Sequence, residues 1–462
     1  MRRRAGFTGL MVAEVISLMG SRMTMVALPW LVLVTTGSAT RTGLVAFAEM
    51  LPYVIASAIG GPLIDHLGPR RTTIAMDVAS LVAVGAIPIL LRLAGLHFTL
   101  LLVLIAAAGA MRGLSDTAKR ALFALVVADA KVNLTRATAV HDGLSRLATL
   151  IGAPAAGVLV AATDPATALI VDAVSFGVAA AFIGIVVRGH PATPAPAPAP
   201  AGQAGPGEDA TPPKESYLRQ LRAGVVFVRR DRLMLNVMVM LFITNLIDQA
   251  YASVLVPVWA KELLGSPAGL GLVSGALAGG AVLGNLAYTV LAPRLPRYAP
   301  FVAGFIVAGS PRFLTLALDS PLWTVLSVSF VAGIGVSVIN PILGTVYYER
   351  VPQHLQARVQ GLSTALAWAG IPVGSLVGGW LVDHTNLRFT LLVAAAGYGV
   401  ATLLPLTSRV WRGLDRPAPA VEITAAATGT SSSAGPAATA GSPATANRPP
   451  TAGSPATEAR AQ

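Results

Sequence analysis

Charged side chains interrupt the apolar stretches of this sequence at a few positions, the most prominent being Glu14, Arg22, Glu49, Arg112 and Asp116. An ionisable group in hydrocarbon costs several kcal/mol unless it is paired or hydrated, so each of these is a functional candidate. Burial favours the neutral form of a carboxyl, and a neighbouring arginine favours its charged form. A carboxyl balanced between the two can exchange a proton when a substrate arrives, as proton-coupled transport requires.

The depth of these groups in the membrane predicts which of them meet. Arg22 lies deep in the first apolar stretch, and Glu49 enters the second stretch from the opposite side. We therefore expect Arg22 and Glu49 to pair between neighbouring helices. Either Glu14 or Glu49 would then carry the proton. A static structural ion pair is the alternative.

Arg112 and Asp116 stand four residues apart in the fourth apolar stretch. Residues at this spacing are neighbours on one face of a helix, so the two side chains can pair. Arg112 can equally reach Asp65 or Asp77 near the inner surface, or serve proton transfer. The sequence leaves these partners open.

A second polar cluster lies deep in the seventh apolar stretch, where Asn245, Asp248, Gln249 and Tyr251 follow one another closely. Asp248 and Tyr251 lie three residues apart and share a helix face. Polar groups inside a membrane face the protein interior or water rather than lipid. We expect this cluster to line a wet substrate cavity. Asn340 either lines the same cavity or bridges two helices.

These residues must be positioned by membrane-spanning helices, because 54% of the chain is apolar, only 12% is charged and the mean hydropathy is +0.68. A stretch of about 20 apolar residues crosses the hydrocarbon core as a helix. Twelve such stretches are predicted, at 7–34, 43–65, 73–93, 98–118, 140–162, 166–187, 233–258, 268–292, 299–318, 322–346, 359–382 and 388–408. The predicted fold class is an all-α membrane protein.

Composition divides the chain into four parts. Residues 1–187 and 233–411 each hold six predicted spans, and residues 188–232 form a Pro- and Ala-rich linker followed by a basic amphipathic helix. Residues 412–462 are low in large apolar side chains, which predicts a disordered tail. The sequence therefore predicts two six-helix bundles with a linker between them.

Lysine and arginine are distributed unevenly between the predicted loops. On one side only four occur, Arg41, Arg92, Lys261 and Arg388, out of 33 in the chain. Basic residues concentrate in cytoplasmic loops, so both termini are predicted to be cytoplasmic in a multi-pass protein of the inner (cytoplasmic) membrane. The net charge of +12 is explained by this topology and not by nucleic-acid binding.

The two halves repeat a glycine and proline pattern. In the fifth stretch, Gly143 is followed by Gly152, Pro154 and Gly157. In the eleventh stretch, Gly361, Gly370 and Pro372 repeat the spacing of the first three, and Gly374 stands one residue closer than Gly157 does. Glycine thins a helix surface and proline frees a backbone carbonyl, so such a helix can bend and pack closely. Equivalent helices of two related halves would produce this repeat.

The junction of the second and third stretches carries the residues Gly61, Asp65, Gly68, Arg70 and Arg71. This spacing resembles the signature loop of the major facilitator superfamily, with His66 in place of the usual arginine. The resemblance implies two six-helix bundles around a central cavity. It also implies that the loop gates the exchange between outward-facing and inward-facing states.

The pattern at Gly152, Pro154 and Gly157 resembles the fifth-helix motif of exporters in that superfamily, although Ala153 replaces a usual glycine. The overall order of motifs along the chain is similar to that in the branch of bacterial macrolide-efflux and siderophore-export proteins. The resemblance implies proton-coupled efflux of small amphipathic molecules such as antibiotics. A dedicated exporter of a siderophore or other metabolite, or a membrane sensor that no longer transports, is the alternative.

Other classes of protein are disfavoured by what the sequence lacks. It has no cysteine, its six histidines are scattered without metal-ligand spacing, and it has no glycine-rich phosphate loop. We therefore expect no enzymatic activity, no catalytic residue, no metal and no cofactor. The expected partners are a small-molecule substrate, protons and the lipid bilayer, with a monomer as the working assembly.

Overall fold

The structure is a computed structural model that describes residues 2–93, 95, 97–187 and 225–415. Within these residues, twelve helices are long and apolar enough to cross a membrane. We number them α1 (Arg2–Thr36), α2 (Ala39–Ile59), α3 (Pro69–Leu93), α4 (Phe98–Ala130), α5 (Leu134–Ala162), α6 (Pro165–Val186), α7 (Arg232–Leu264), α8 (Ala268–Leu291), α9 (Tyr298–Ala317), α10 (Leu322–Arg350), α11 (Gln353–His384) and α12 (Leu387–Thr407). The predicted all-α fold with twelve spans is confirmed.

Helices α1 to α6 pack on one another, and α7 to α12 do the same. The two sets meet where α2 packs on α11 and α5 packs on α8. Glycines allow both meetings, since a Cβ atom added at Gly43 would meet the backbone of Ser375 and one added at Gly157 would lie 3.0 Å from the Cα atom of Gly271. Small residues permit this close approach of helix backbones.

Several helices deviate from regular α-geometry near polar residues. Helix α7 passes through a π-helical turn at Tyr251–Leu255, and such turns are frequent at functional sites. Helix α9 is interrupted at Gly309, so that Tyr298–Ala308 and Ser310–Ala317 are separate segments. Arg312 lies in the second segment. Both deviations lie next to the polar cluster of the second half.

The end of the second span differs from the prediction. Helix α2 ends at Ile59, and a separate short helix, Gly61–Leu67, precedes α3. Gly60, Gly61 and Pro62 follow one another at this point. Glycine destabilises a continuing helix and proline is favoured in the first turn of a new one, so the sequence supports a break here. Asp65 therefore lies on the short helix rather than at the end of α2.

The chain beyond α12 is also ordered further than predicted. A short 3₁₀ helix, Arg409–Leu414, buries Trp411 and Leu414. The side chain of Asp415 then accepts hydrogen bonds from the backbone N–H groups of Arg297 and Tyr298, at 2.6 and 2.9 Å. The predicted tail boundary at residue 412 is therefore too early. Residues 416–462 lie outside the described part, as do 188–224 of the predicted linker.

Polar contacts hold the two halves together where α1 ends and α2 begins. Asp383 at the end of α11 accepts hydrogen bonds from the N–H groups of Ala39 and Thr40, both at 2.9 Å, and from Ser38 Oγ at 2.7 Å. Lys261 Nζ on α7 donates to the carbonyl oxygen of Leu33 at 2.9 Å. These contacts close that end of the protein.

Candidate functional site

A cavity of about 790 Å³ lies between the two halves. Its walls come mainly from α1, α2, α4 and α5, and Gln249, Ala278, Ala281, Trp368 and Ile371 complete it from the second half. It extends toward the N-terminal end of α1, where Glu14, His141 and Asp142 line it, and the Asp142 side chain there is 64% exposed. The cavity is therefore reached from that end and is closed at the opposite end by the Asp383 and Lys261 contacts.

The central ion pair of the first half joins Arg112 on α4 to Glu49 on α2, at 2.8 Å. Both side chains are largely buried. The helices approach closely because a Cβ atom at Gly109 or Gly113 would clash with the α2 backbone. The Arg112 guanidinium also lies over the ring of Tyr53, 5.4 Å from its centre. This arrangement places a carboxylate and a cation beside the cavity.

The expected pairing of Arg22 with Glu49 is wrong, and the pairing of Arg112 with Asp116, which the sequence left open, is not formed. Arg22 does not pair with Glu49, because the α2–α4 contact brings Arg112 to that carboxylate. Asp116 does not pair with Arg112, and it accepts a hydrogen bond from Tyr53 Oη at 3.0 Å instead. Arg112 and Asp116 share a helix, yet their partners lie on α2. Packing between helices decided both pairings.

Arg22 lines the cavity without forming an ion pair with any described residue. Its Nη1 atom contacts Met25 Sδ at 3.4 Å, and its Nε atom is buried with no hydrogen-bond partner among the described residues. Gly152 on α5 makes room for it, since a Cβ atom there would lie 3.1 Å from Arg22 Cβ. The glycine of the predicted helix-bending motif thus lies against the stem of this arginine.

A second buried ion pair lies behind the cavity wall, between Lys119 Nζ on α4 and Asp77 on α3, at 3.1 Å. Ser115 Oγ donates to the same carboxylate at 2.5 Å, and Lys119 donates to Ser17 Oγ at 3.3 Å. The sequence indicates Asp77 only as a partner for Arg112, and it gives no sign of the pairing with Lys119. Lys119 lies one residue beyond the predicted end of the fourth span, so the span prediction places it outside the membrane.

Asp172 on α6 is a third buried carboxyl that the sequence analysis missed. It is 1% exposed, and it accepts a hydrogen bond from Thr24 on α1 at 2.5 Å. A small pocket of about 20 Å³ is lined by Asp172, Glu49 and Arg112 together. Its position within the sixth predicted span was a signal that could have found it. The first half therefore buries three carboxyls around Arg112 and Lys119.

At the open end of the cavity, Glu14 on α1 contacts His141 on α5. The distance between the carboxylate and Nε2 is 2.7 Å, and His141 Nδ1 lies 3.4 Å from Asp142. The imidazole also packs on the ring of Phe123, with the ring centres 5.3 Å apart. Glu14 is therefore held by histidine near the cavity entrance and not by an arginine.

The polar cluster of the second half is built around Arg312 on α9, which forms an ion pair with Asp248 on α7. Three aromatic rings surround the guanidinium, those of Tyr251, Phe313 and Tyr398, at 4.7, 5.1 and 5.5 Å from their centres. Cations are attracted to the faces of such rings. Asp248, Tyr251 and Arg312 line a second cavity of about 350 Å³.

Asn245 and Gln249 also line this second cavity, and Gln249 lines the first as well. Asn245 donates from Nδ2 to the carbonyl oxygen of Ala367 at 2.9 Å, so it also joins α7 to α11. Asn340 is exposed and lines neither cavity, which corrects its predicted place in the substrate site. Asn340 lies on an exposed part of α10.

The predicted gating loop adopts a defined turn. Gly68 has a φ of 83°, a conformation that disfavours side chains, and its N–H group donates to the carbonyl oxygen of Ile64. Arg70 donates to the carbonyl oxygens of Gly184 and Val187 at the end of α6, at 2.5 and 2.6 Å. Asp65 is exposed and forms no ion pair with a described residue. Gly61 and Arg71 belong to the same turn region, and neither lines the two cavities.

The repeated glycine pattern is used unevenly. Pro154 on α5 packs against Gly275 on α8, and Gly157 against Gly271, whereas a Cβ atom at Gly143 would meet nothing within 4 Å. In the eleventh helix, Gly370 and Gly374 lie against the backbone of α7, and the equivalent first glycine, Gly361, again meets nothing. The later glycines of each repeat therefore make the close helix contacts.

No group of three or more histidine and acidic side chains in the described residues is arranged to hold a metal ion. Some intramembrane charges form ion pairs next to the two cavities, whereas Arg22 lines both cavities without an ion-pair partner among the described residues. Charged groups beside a cavity can bind and release a small molecule.

Comparison with known proteins agrees with this geometry. The family model described as Major Facilitator Superfamily matches residues 10–265 and 237–449. The chain is 29% identical over 417 residues to a multidrug efflux pump, Tap, of Mycobacterium tuberculosis, which covers 90% of this chain and 96% of that protein. The chain is also 28% identical to a Tap multidrug efflux pump of Mycolicibacterium fortuitum. This alignment covers 81% of this chain and 88% of that protein.

Solved structures of similar fold include the nucleoside transporter NupG, with a TM-score of 0.68 and 13% identity over 87% of this chain and 98% of that one. A bacterial metal transporter aligns with a TM-score of 0.60 over 90% of this chain and 99% of that one, at 13% identity. At these identities the likeness concerns the fold alone.

Proposed function

This chain belongs to the major facilitator superfamily, and on that premise we propose that it exports small amphipathic molecules, antibiotics among them, across the cytoplasmic membrane. Relatives named multidrug efflux pumps align with it across both halves. Alternating access would carry the substrate, as the two halves rock around a central site. Residues 1–187 and 233–411 are the two proposed halves, and 188–232 the proposed connection between them.

The single observation that carries the proposal is the cavity of about 790 Å³ that is reached from one end only. With both termini in the cytoplasm, its open end faces the cytoplasm and would collect a substrate from inside the cell. Release to the outside requires the contacts of Asp383 and Lys261 at the closed end to break. The predicted gating residue Asp65 would then find a partner when the inner end closes.

Proton coupling is proposed at Glu49. Its side chain is more deeply buried than that of Glu14, with 12% exposed against 25%. A proton that binds Glu49 from the outside neutralises the carboxylate and weakens its attraction to Arg112. When the cavity faces inward, the pair forms again and the proton leaves to the cytoplasm. One proton therefore enters the cell for each cycle that carries a substrate out, and a monomer suffices for it.

Accumulation in living cells tests this function. Cells that express the wild type should accumulate less of a macrolide or dye panel than cells that express a Glu49→Gln variant, and a protonophore should remove the difference. Equal accumulation of every compound in both strains would contradict broad drug efflux. Lower accumulation that persists with the protonophore would contradict proton coupling but leave export intact.

A further inference from the structure

The central cavity contains three arginines that form no ion pair with any described residue, Arg22, Arg120 and Arg146. The other cations that line it are neutralised from behind the wall, Arg112 by Glu49 and Lys119 by Asp77. An arginine inside a membrane protein is costly unless it is paired or hydrated. Arg120 is exposed to solvent, whereas Arg22 and Arg146 are partly buried without an ion-pair partner among the described residues.

The carboxyl groups that line the same cavity are engaged elsewhere. Glu14 contacts Nε2 of His141, and Asp142 lies 3.4 Å from Nδ1 of the same ring. Asp116 accepts the hydrogen bond of Tyr53. None of the three lies within ion-pair distance of the free arginines. The carboxyl groups of the cavity therefore already have partners, whereas the three arginines present N–H groups that an incoming molecule can bind.

Arg22 occupies a distinctive place among the three arginines. It lines both the cavity of about 790 Å³ and the cavity of about 350 Å³ in the second half. Gly152 on α5 leaves space for its stem, and its buried Nε atom lacks a hydrogen-bond partner in the described part of the chain. An arginine fork with free N–H groups binds a planar anion with two parallel hydrogen bonds.

We propose that the cavity selects amphiphiles that carry an anionic group, a carboxylate, sulfonate or phosphate, which Arg22 and Arg146 bind, with Arg120 adding positive charge. The apolar part of the molecule would lie against Met25, Met50, Tyr53, Trp368 and Ile371 on the same walls. This substrate class rests on the proposed export function and narrows it.

Binding of a matched probe set to the purified full-length chain in lipid nanodiscs tests the proposal. The probes are pyrenebutyrate, pyrenebutanol and pyrenebutyltrimethylammonium, which share one apolar body and differ in charge. Pyrene quenching of tryptophan emission reports binding, because Trp368 lines the cavity. The wild type should bind the anionic probe most tightly, and Arg22→Gln should weaken that probe about tenfold or more, which is the size expected for a charged hydrogen bond.

Controls separate charge recognition from misfolding. Arg22→Gln and Arg146→Gln should weaken the binding of pyrenebutanol much less than that of pyrenebutyrate, and Arg22→Lys should recover part of the lost affinity for the anion. Arg92→Gln is the matched control, since Arg92 is 60% exposed and lies outside the cavity. Equal loss for all three probes, tighter binding of the cationic probe, or no binding of any probe to the wild type would overturn the proposal.

A cellular export assay with the same probes keeps the two proposals distinct. Charge-selective binding without export of any probe from cells would count against the efflux function and leave the substrate class intact. Export that ignores the charge of the probe would overturn the substrate class and leave efflux intact.

Discussion

Arg112 on α4 holds the carboxylate of Glu49 on α2 at 2.8 Å, beside a cavity that reaches one end of the protein. The pair is largely buried, and Asp172 lines the same small pocket next to it. Removing one member of a buried ion pair leaves the other charge uncompensated. A proton that binds Glu49 would have the same electrostatic effect as removing its charge. This relation links protonation to the packing of α2 on α4.

Glu49→Gln should abolish proton-driven export while leaving exchange of one substrate molecule for another. Glutamine keeps the volume and hydrogen-bonding capacity of the side chain but cannot exchange a proton at neutral pH. In proteoliposomes, an imposed pH gradient should drive substrate movement by the wild type, and with the variant the rate should equal that of empty vesicles. Exchange between labelled and unlabelled substrate should persist in both.

Glu349→Gln is the matched control for that experiment. Glu349 pairs with Arg297 at 2.5 Å, but both side chains are about a third exposed and lie outside the cavities. Exposed pairs contribute little to stability. A pH-driven flux in Glu49→Gln as large as in this control would show that the proton is carried elsewhere, with Glu14 and Asp172 as the next candidates.

Asp77→Asn should destabilise the first half strongly. Asp77 is fully buried, and the substitution leaves the Lys119 ammonium without its anion. The loss of one partner of a buried pair costs about 3–5 kcal/mol. The midpoint of thermal unfolding in detergent should fall accordingly, and the double variant Asp77→Leu with Lys119→Met should recover most of it. An unchanged midpoint for Asp77→Asn would show that the pair contributes no stability.

The sequence was sufficient to predict the twelve spans, because each needs about 20 apolar residues and hydropathy measures that directly. It could not predict which charges meet. Glu49 pairs with Arg112 because Gly109 and Gly113 bring α4 against α2, and neighbouring helices in space are not written in a hydropathy profile. Asp172 is visible in the sequence as a charge within the sixth span, but its partner Thr24 lies 148 residues away and could not be predicted.

Local chemistry was predicted better than distant contacts. The polarity of α7 at Asp248 and Tyr251 indicated a cavity, and both residues line one. The sequence did not show that Arg312, on a helix interrupted at Gly309, would pair with Asp248 inside three aromatic rings. That arrangement depends on the break in α9, which sets the direction of the Arg312 side chain.

Gly157→Leu should impair transport, whereas Gly143→Ala should have little effect. Gly157 lies against the Gly271 backbone where α5 meets α8, so a larger side chain would force the two halves apart. Gly143 belongs to the same repeated pattern but has open space around it. Transport rate and surface expression of the two variants should be compared. A strong transport defect in Gly143→Ala would mean that this glycine is contacted in another state of the cycle.

Asp383→Asn should favour the state that opens at the far end. The Asp383 carboxylate accepts hydrogen bonds from Ser38, Ala39 and Thr40, so it joins α11 to the start of α2 and closes that end. An amide accepts fewer of these bonds, and it carries no charge to favour the positive end of the α2 dipole. The closed arrangement is therefore weakened relative to the open one.

The absence of cysteine from the chain makes this prediction easy to measure. A single Ser274→Cys substitution places a thiol on the wall of the second cavity, and a membrane-impermeant maleimide added outside reports opening. Asp383→Asn should raise the labelling rate. Asp164→Asn is the control, because Asp164 caps α6 at the same end but contacts only the first half, through Thr167 and Arg92. Equal labelling rates in the two variants would show that the Asp383 contacts do not hold this end closed.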